Sequence, residues 1–169
     1  MRLPLQAMIV PVAIWAAATM IAPGAHAETT VALSGLQQDS SLPVQVESDT
    51  LEVDQATGEA VFSGNVKVVQ GEMTISSERA RVEYTPGGNE VNKVFFYGDV
   101  LFTSPTDAAE GEEAVYTLAS GEVVITGNVL LTQGATTISG SRLVYNLDAG
   151  TGVMEGRVQT VFVPGSGTP

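Results

Sequence analysis

The sequence predicts an all-β chain in which one sheet of repeated short antiparallel strands folds into a trough or flattened roll. Three observations predict it. The stretch Gly58–Gly71, GEAVFSGNVKVVQG, returns 63 residues later at Gly121–Gly134 as GEVVITGNVLLTQG, with eight of fourteen positions identical and no gap. Repeats on this scale mark stacked architectures. After Pro43 the chain is dominated by Val, Ile, Thr, Tyr and Phe in short alternating runs cut by Gly, Asn, Asp and Ser, the signature of half-buried strands. A finer repeat places Gly, a polar residue and Val together four times, at Gly64-Asn65-Val66, Gly98-Asp99-Val100, Gly127-Asn128-Val129 and Gly156-Arg157-Val158, in steps of 34, 29 and 29 residues.

Residues 1–27 read as a cleaved signal peptide. Arg2 is the positive n-region, Leu3–Ile21 is mostly apolar, and Ala25-His26-Ala27 is an A-x-A cleavage signal. The apolar run is long enough for a membrane anchor, but Pro4 and Pro11 inside it favour cleavage. Residues 28–42, rich in Ser and Gln, read as a flexible leader. Residues 43–163 form a single β domain, and residues 164–169 after the last strand read as a disordered tail.

Removal of 1–27 leaves six basic against 19 acidic residues, a net charge of −13. Such a chain does not hold nucleic acid by neutralising phosphates. There is no cysteine, and the one histidine, His26, leaves with the signal peptide. Zinc and copper sites of the usual kind and His-based nucleophilic catalysis are thereby excluded, and the sequence predicts no metal and no cofactor. Glu47, Asp49, Glu52 and Asp54 match no calcium loop, and they read as a solvated face. So do Glu110, Glu112 and Glu113 within Ser104–Glu113, which reads as an acidic loop.

The strand runs expected are Asp49–Val53, Glu59–Gln70, Met73–Tyr84, Val91–Thr103, Ala114–Leu118, Glu122–Gln133, Thr136–Leu147 and Val153–Val163, preceded by an edge strand opened by Pro43. Alternation puts Phe62, Val66 and Val68 on one inner face with Gly64, and likewise Gly98, Gly127 and Gly156 with their apolar neighbours. Glycine on the inner face allows a sharp bend, so these four glycines are expected to crease the sheet. A second crease is expected near Ser76-Ser77 and Ser139-Gly140. There Ile75 falls out of phase with Ala80 and Val82, and Ile138 with Leu143 and Tyr145.

The strings PVQVESD, FSGNVKVVQG leading to ISSERARV, VITGNVLLTQG leading to ISGSRLVY, and QTVFVP at the end resemble the LptA-like (OstA-like) family of periplasmic lipopolysaccharide-transport domains of Gram-negative bacteria. The resemblance covers about Pro43 to Pro164. It implies a twisted, open β-jellyroll, no enzymatic activity and export to the periplasm. It also implies end-to-end self-association and partnership with LptC-like inner-membrane and LptD-like outer-membrane proteins. Lipopolysaccharide would travel with its acyl chains in an apolar groove. That groove would draw on Phe62, Val66, Ile75, Phe96, Phe102, Tyr116, Ile125, Leu131, Ile138, Leu143 and Tyr145. From pattern alone the same residues form a closed hydrophobic core. The oligomer edges would be Val44 and Val46 on one molecule and Val158 and Phe162 on the next. Two other readings of the residues stay open: a ligand-free structural or adhesive β-solenoid, and a carboxylate-only carbohydrate enzyme on a β-roll.

Overall fold

The computed structural model describes residues 28–32, 41–54, 56–87 and 90–162. The expected signal peptide and tail lie outside the described residues, as does most of the leader. Among the described residues eleven strands form one unclosed sheet: β1 (Glu28–Ala32), β2 (Val44–Glu47), β3 (Thr50–Asp54), β4 (Glu59–Gln70), β5 (Met73–Tyr84), β6 (Val91–Thr103), β7 (Asp107–Thr117), β8 (Glu122–Gln133), β9 (Thr136–Asn146), β10 (Thr151–Glu155) and β11 (Gln159–Val161). Their order is β1-β10-β9-β8-β7-β6-β5-β4-β2, with β3 also on β4 and β11 also on β9. Every pairing is antiparallel.

Each long strand bends once, in its middle. The register jumps from Ser63↔Arg79 to Val66↔Ser77, so Gly64 and Asn65 together oppose Glu78. Gly98-Asp99 oppose Glu112 in the same way, and Gly127-Asn128 oppose Ser141. These are β-bulges, one extra residue on every second strand. At each, both residues are left-handed: φ is 80°, 76°, 83° and 80° at Gly64, Gly98, Gly127 and Gly156, and 46°, 44°, 47° and 43° at Asn65, Asp99, Asn128 and Arg157. Glycine takes this conformation without penalty, and Asn and Asp tolerate it best among the rest. The Gly-polar-Val repeat is therefore a bulge repeat.

The bends fall in line and fold the sheet over on itself as an open β-jellyroll. One layer holds β3, the first halves of the bulged strands, and β10. The other holds β2, their second halves, and β11. β2 and β3 are thus two halves of one bent strand, and so are β10 and β11.

Two expectations about the creases need correction. There is one crease, not two. The phase slip in β5 and β9 belongs to the same line, because a strand without the extra residue must turn two successive side chains outward there. Glu78-Arg79 and Ser141-Arg142 do so, and Glu112-Glu113 does the same in β7. Nor do the glycines line the interior. A Cβ on Gly64, Gly98 or Gly127 would meet the exposed Asp49, Glu78 or Glu112 side chain respectively. The glycines sit on the convex side, beneath acidic side chains.

Two further corrections concern elements. Glu28–Ala32, expected in a flexible leader, forms β1 on the edge of β10. Backbone pairing holds a five-residue edge strand, and hydropathy does not reveal that. Ser104–Glu113, expected as an acidic loop, is strand from Asp107 onward. Asp107 and Ala109 face inward while Glu110, Glu112 and Glu113 face water, so small inward residues disguised the alternation.

The outer face is pinned by modest contacts. Arg81 bridges to Glu59 at 2.7 Å and lies 4.1 Å from the Phe95 ring centre, and Arg142 meets Glu155 at 2.7 Å. Exposed pairs of this kind contribute about 1 kcal/mol or less each.

Candidate binding groove

Among the described residues the space between the two layers is lined mainly by apolar side chains, and its two halves differ in width. Near β2 and β3 a cleft of about 210 Å³ separates the layers. Phe62, Phe96 and Tyr116 line it from one layer, Val46 and Val68 from the other, and Val44 and Tyr84 stand at its mouth. Toward the β8–β9 side the layers close together. Phe102 and Ala109 there pack directly on Ile125, Leu143 and Tyr145, with no volume left for a guest.

The eleven predicted groove residues divide accordingly. Phe62, Phe96 and Tyr116 reach the cleft. Val66, Ile75, Phe102, Ile125, Leu131, Ile138, Leu143 and Tyr145 are buried core outside it. Periodicity reports which face a side chain occupies, not how far apart the facing layers stand, so the sequence could not separate the two sets. The expected groove set also left out Ala80, Val82, Val91 and Val94, which line the cleft too.

A polar tie marks the inner side of the cleft. The Tyr116 hydroxyl donates to Gln70 Oε1 at 3.1 Å, and Gln70 Nε2 donates to the Leu42 carbonyl at 2.9 Å. Gln70 is fully buried. It satisfies a tyrosine that would otherwise leave an unpaired hydroxyl in an apolar space, and it joins the two layers. Burial pushes the Tyr116 phenol up, and the hydrogen bond to Gln70 opposes the shift. Burial also pushes Tyr145 far up, with the negative charge of Asp107 adding to it.

Cross-strand partners share a face, and this shows where the inner face ends. Leu51 pairs with Phe62 and Val53 with Ala60. Both therefore face inward, yet they are 54% and 63% exposed. The apolar lining runs out to the β2–β3 edge uncovered. At the far edge, Val158 packs against the core while Phe162 is exposed. The four predicted edge residues thus lie at the two opposite ends of the sheet. Among the described residues no cluster of carboxylates or other ligating groups could hold a metal ion.

An unclosed antiparallel sheet, creased once and enclosing an open-ended apolar cleft, defines an open β-jellyroll of the groove-forming kind. A family model described as LptA/(LptD N-terminal domain) LPS transport protein matches residues 45–151. The chain belongs to that family. The fold is similar to that in the crystal structure of LptH, described as the LptA homologous periplasmic component of the lipopolysaccharide transport device of Pseudomonas aeruginosa. That likeness has a TM-score of 0.66 at 21% identity and covers 75% of this chain and 99% of that one. An uncharacterized protein of Rhizobium meliloti (strain 1021) is 33% identical over 116 residues, which is 64% of this chain. The match spans 62% of that relative's length.

Proposed function

We propose that the chain is a periplasmic, lipid-shielding segment of a lipopolysaccharide-transport bridge and that it carries acyl chains between the two layers of its sheet. The observation that carries this reading is the cleft, apolar on both walls, with the exposed Leu51 paired beside its lining residue Phe62. An acyl chain of twelve carbons costs roughly 10 kcal/mol to expose to water, at about 0.8 kcal/mol per methylene. A lipid with several chains needs such a trough to cross an aqueous compartment. Lipopolysaccharide headgroups are anionic, as is the protein, so burial of apolar surface and not phosphate attraction supplies the affinity. Edge strands at both ends supply joints by strand addition, to further copies and to LptC-like and LptD-like partners. We ascribe no catalysis to it.

Photo-crosslinkers at Phe96 and Tyr116, set against controls at Asn65 and Asp99 on the convex crease, test the reading in purified protein with labelled lipopolysaccharide. Capture at the first pair alone is expected. Capture at neither pair would leave the ligand-free β-solenoid as the better account.

A further inference from the structure

The two edges of the sheet are not alike. At the N-terminal edge β2 and β3 are halves of one strand, so both layers stop flush. Among the described residues, β11 ends one layer at the C-terminal edge, but in the other β1 lies beyond β10. That layer therefore projects one strand further, about 4.8 Å. A flush edge cannot pair with both halves of a stepped one. We propose that β1 is a self-made cap on the C-terminal edge, and that β3 of a second copy displaces it from β10 with the incoming Asp49 set against Arg157. The inference rests on the end-to-end assembly proposed above and adds what regulates it.

The repeat fixes how the second copy would sit. Glu78 lies opposite the Gly64-Asn65 bulge of the strand before it and covers Gly98 of the strand after it. Asp49 already covers Gly64 in the same manner, but no bulge precedes it within its own chain. Among the described residues, the bulge with no residue of a following strand set opposite it is Gly156-Arg157, since β1 pairs with β10 only as far as Glu155. Continuing the β4–β5 register across the joint puts Thr50 opposite Glu155 and Leu51 opposite Met154. At present Thr29 of β1 is Met154's partner. The exchange replaces an inward threonine, only half-buried, with a leucine that is 54% exposed in the single chain. Burial of apolar surface therefore favours the incoming strand.

Charge agrees. Val44–Asp54 carries Glu47, Asp49, Glu52 and Asp54 and no basic residue. The residue after the bulge glycine is Asn65, Asp99 and Asn128 at the inner positions, and becomes basic only at Arg157, the last. Arg157 is exposed, with no ion pair among the described residues.

The chain has no cysteine, so a disulfide lock can be added without background. Thr30 and Val153 are cross-strand partners, and Thr30→Cys with Val153→Cys would hold β1 on β10 when oxidised. Sedimentation velocity over a concentration series reads the result. The oxidised protein is expected to stay monomeric where wild type forms larger species, and reduction restores association. A chain lacking residues 28–32 is expected to self-associate at least tenfold more tightly. Arg157→Glu is expected to weaken association at least tenfold, and adding Asp49→Arg to recover most of the loss. Equal association of locked and reduced protein overturns the cap, as does a monomeric wild type that stays monomeric when 28–32 are removed. Lipid capture by the locked monomer is scored separately. Its absence beside intact lock behaviour assigns the failure to the groove reading and leaves the cap standing.

Discussion

At the scale of single residues, the crease glycines are held by two independent constraints. Gly127 has φ of 83°, and a Cβ there would lie 2.6 Å from Glu112 Cβ. The left-handed conformation alone costs a side chain about 1–2 kcal/mol. Gly127→Ala is therefore expected to destabilise by about 2 kcal/mol or more, read as a lower midpoint in urea. Glu112→Ala removes the contacts to Cδ and Oε2 but not the one to Cβ, and should restore only part of it, since that contact and the backbone penalty remain. Full restoration would show that crowding, not φ, is the constraint. The buried tyrosines make a second prediction. Tyr116 and Tyr145 are both raised from an ordinary value of 10.0. Above that pH the unfolded chain releases phenolic protons that the folded chain keeps, so stability is whole below pH 10 and falls as pH climbs beyond it. Tyr145→Phe should flatten this alkaline loss, with tyrosinate absorbance appearing together with unfolding in wild type. A Tyr145→Phe protein with the same alkaline midpoint would place the loss elsewhere.

At the scale of elements, the split interior separates stability from binding. Leu131 is fully buried in the closed half, and Leu131→Ala is expected to cost about 2–5 kcal/mol. Phe62 lines the open cleft and is only partly buried. Phe62→Ala should cost less than half as much while reducing lipid capture. Val91→Phe fills the cleft from its rim and should block capture with a stability change within about 1.5 kcal/mol. Thermal melts beside crosslinking yields separate the two effects, and a Val91→Phe protein that captures lipid normally would move the binding site out of the cleft. The strands and their inner faces were legible in the sequence because hydrophobic alternation is a local property. Phe96, Val100 and Phe102 announced themselves in this way. The width of the gap between layers was not legible, because it depends on how far the sheet closes past Tyr116 and Gln70. Nor was the single crease. Ile75 slipping against Ala80 looked like a separate bend, and only the pairing of Ser63 with Arg79 and Val66 with Ser77 shows both signals to be one event. β1 was missed for a related reason, since its partner lies more than a hundred residues away in the chain.

At the scale of the whole molecule, charge and groove are kept apart. Apart from the inward Asp107, the acidic side chains named above lie on the convex crease and the outer face, while the walls of the cleft are apolar. Binding through the walls should therefore depend weakly on monovalent salt, because screening acts over about 8 Å at physiological ionic strength and little charge faces the ligand. Titrating lipid capture from low to moderate NaCl checks this, and a steep fall would return the headgroup to the centre of recognition.

The alternation of bulged and unbulged strands has a consequence for how such a domain can change in length. A single added strand would set two strands of the same kind side by side, and the bend line would lose its register at that point. Growth by two strands keeps it. The 29-residue step from Gly98 to Gly127 and again to Gly156 is that indivisible increment, and it extends the trough by about 9.6 Å, two strand spacings. Trough length in this architecture is quantised, and a duplication of Asp99–Gly127 is the smallest insertion that leaves every corner where its neighbours expect it.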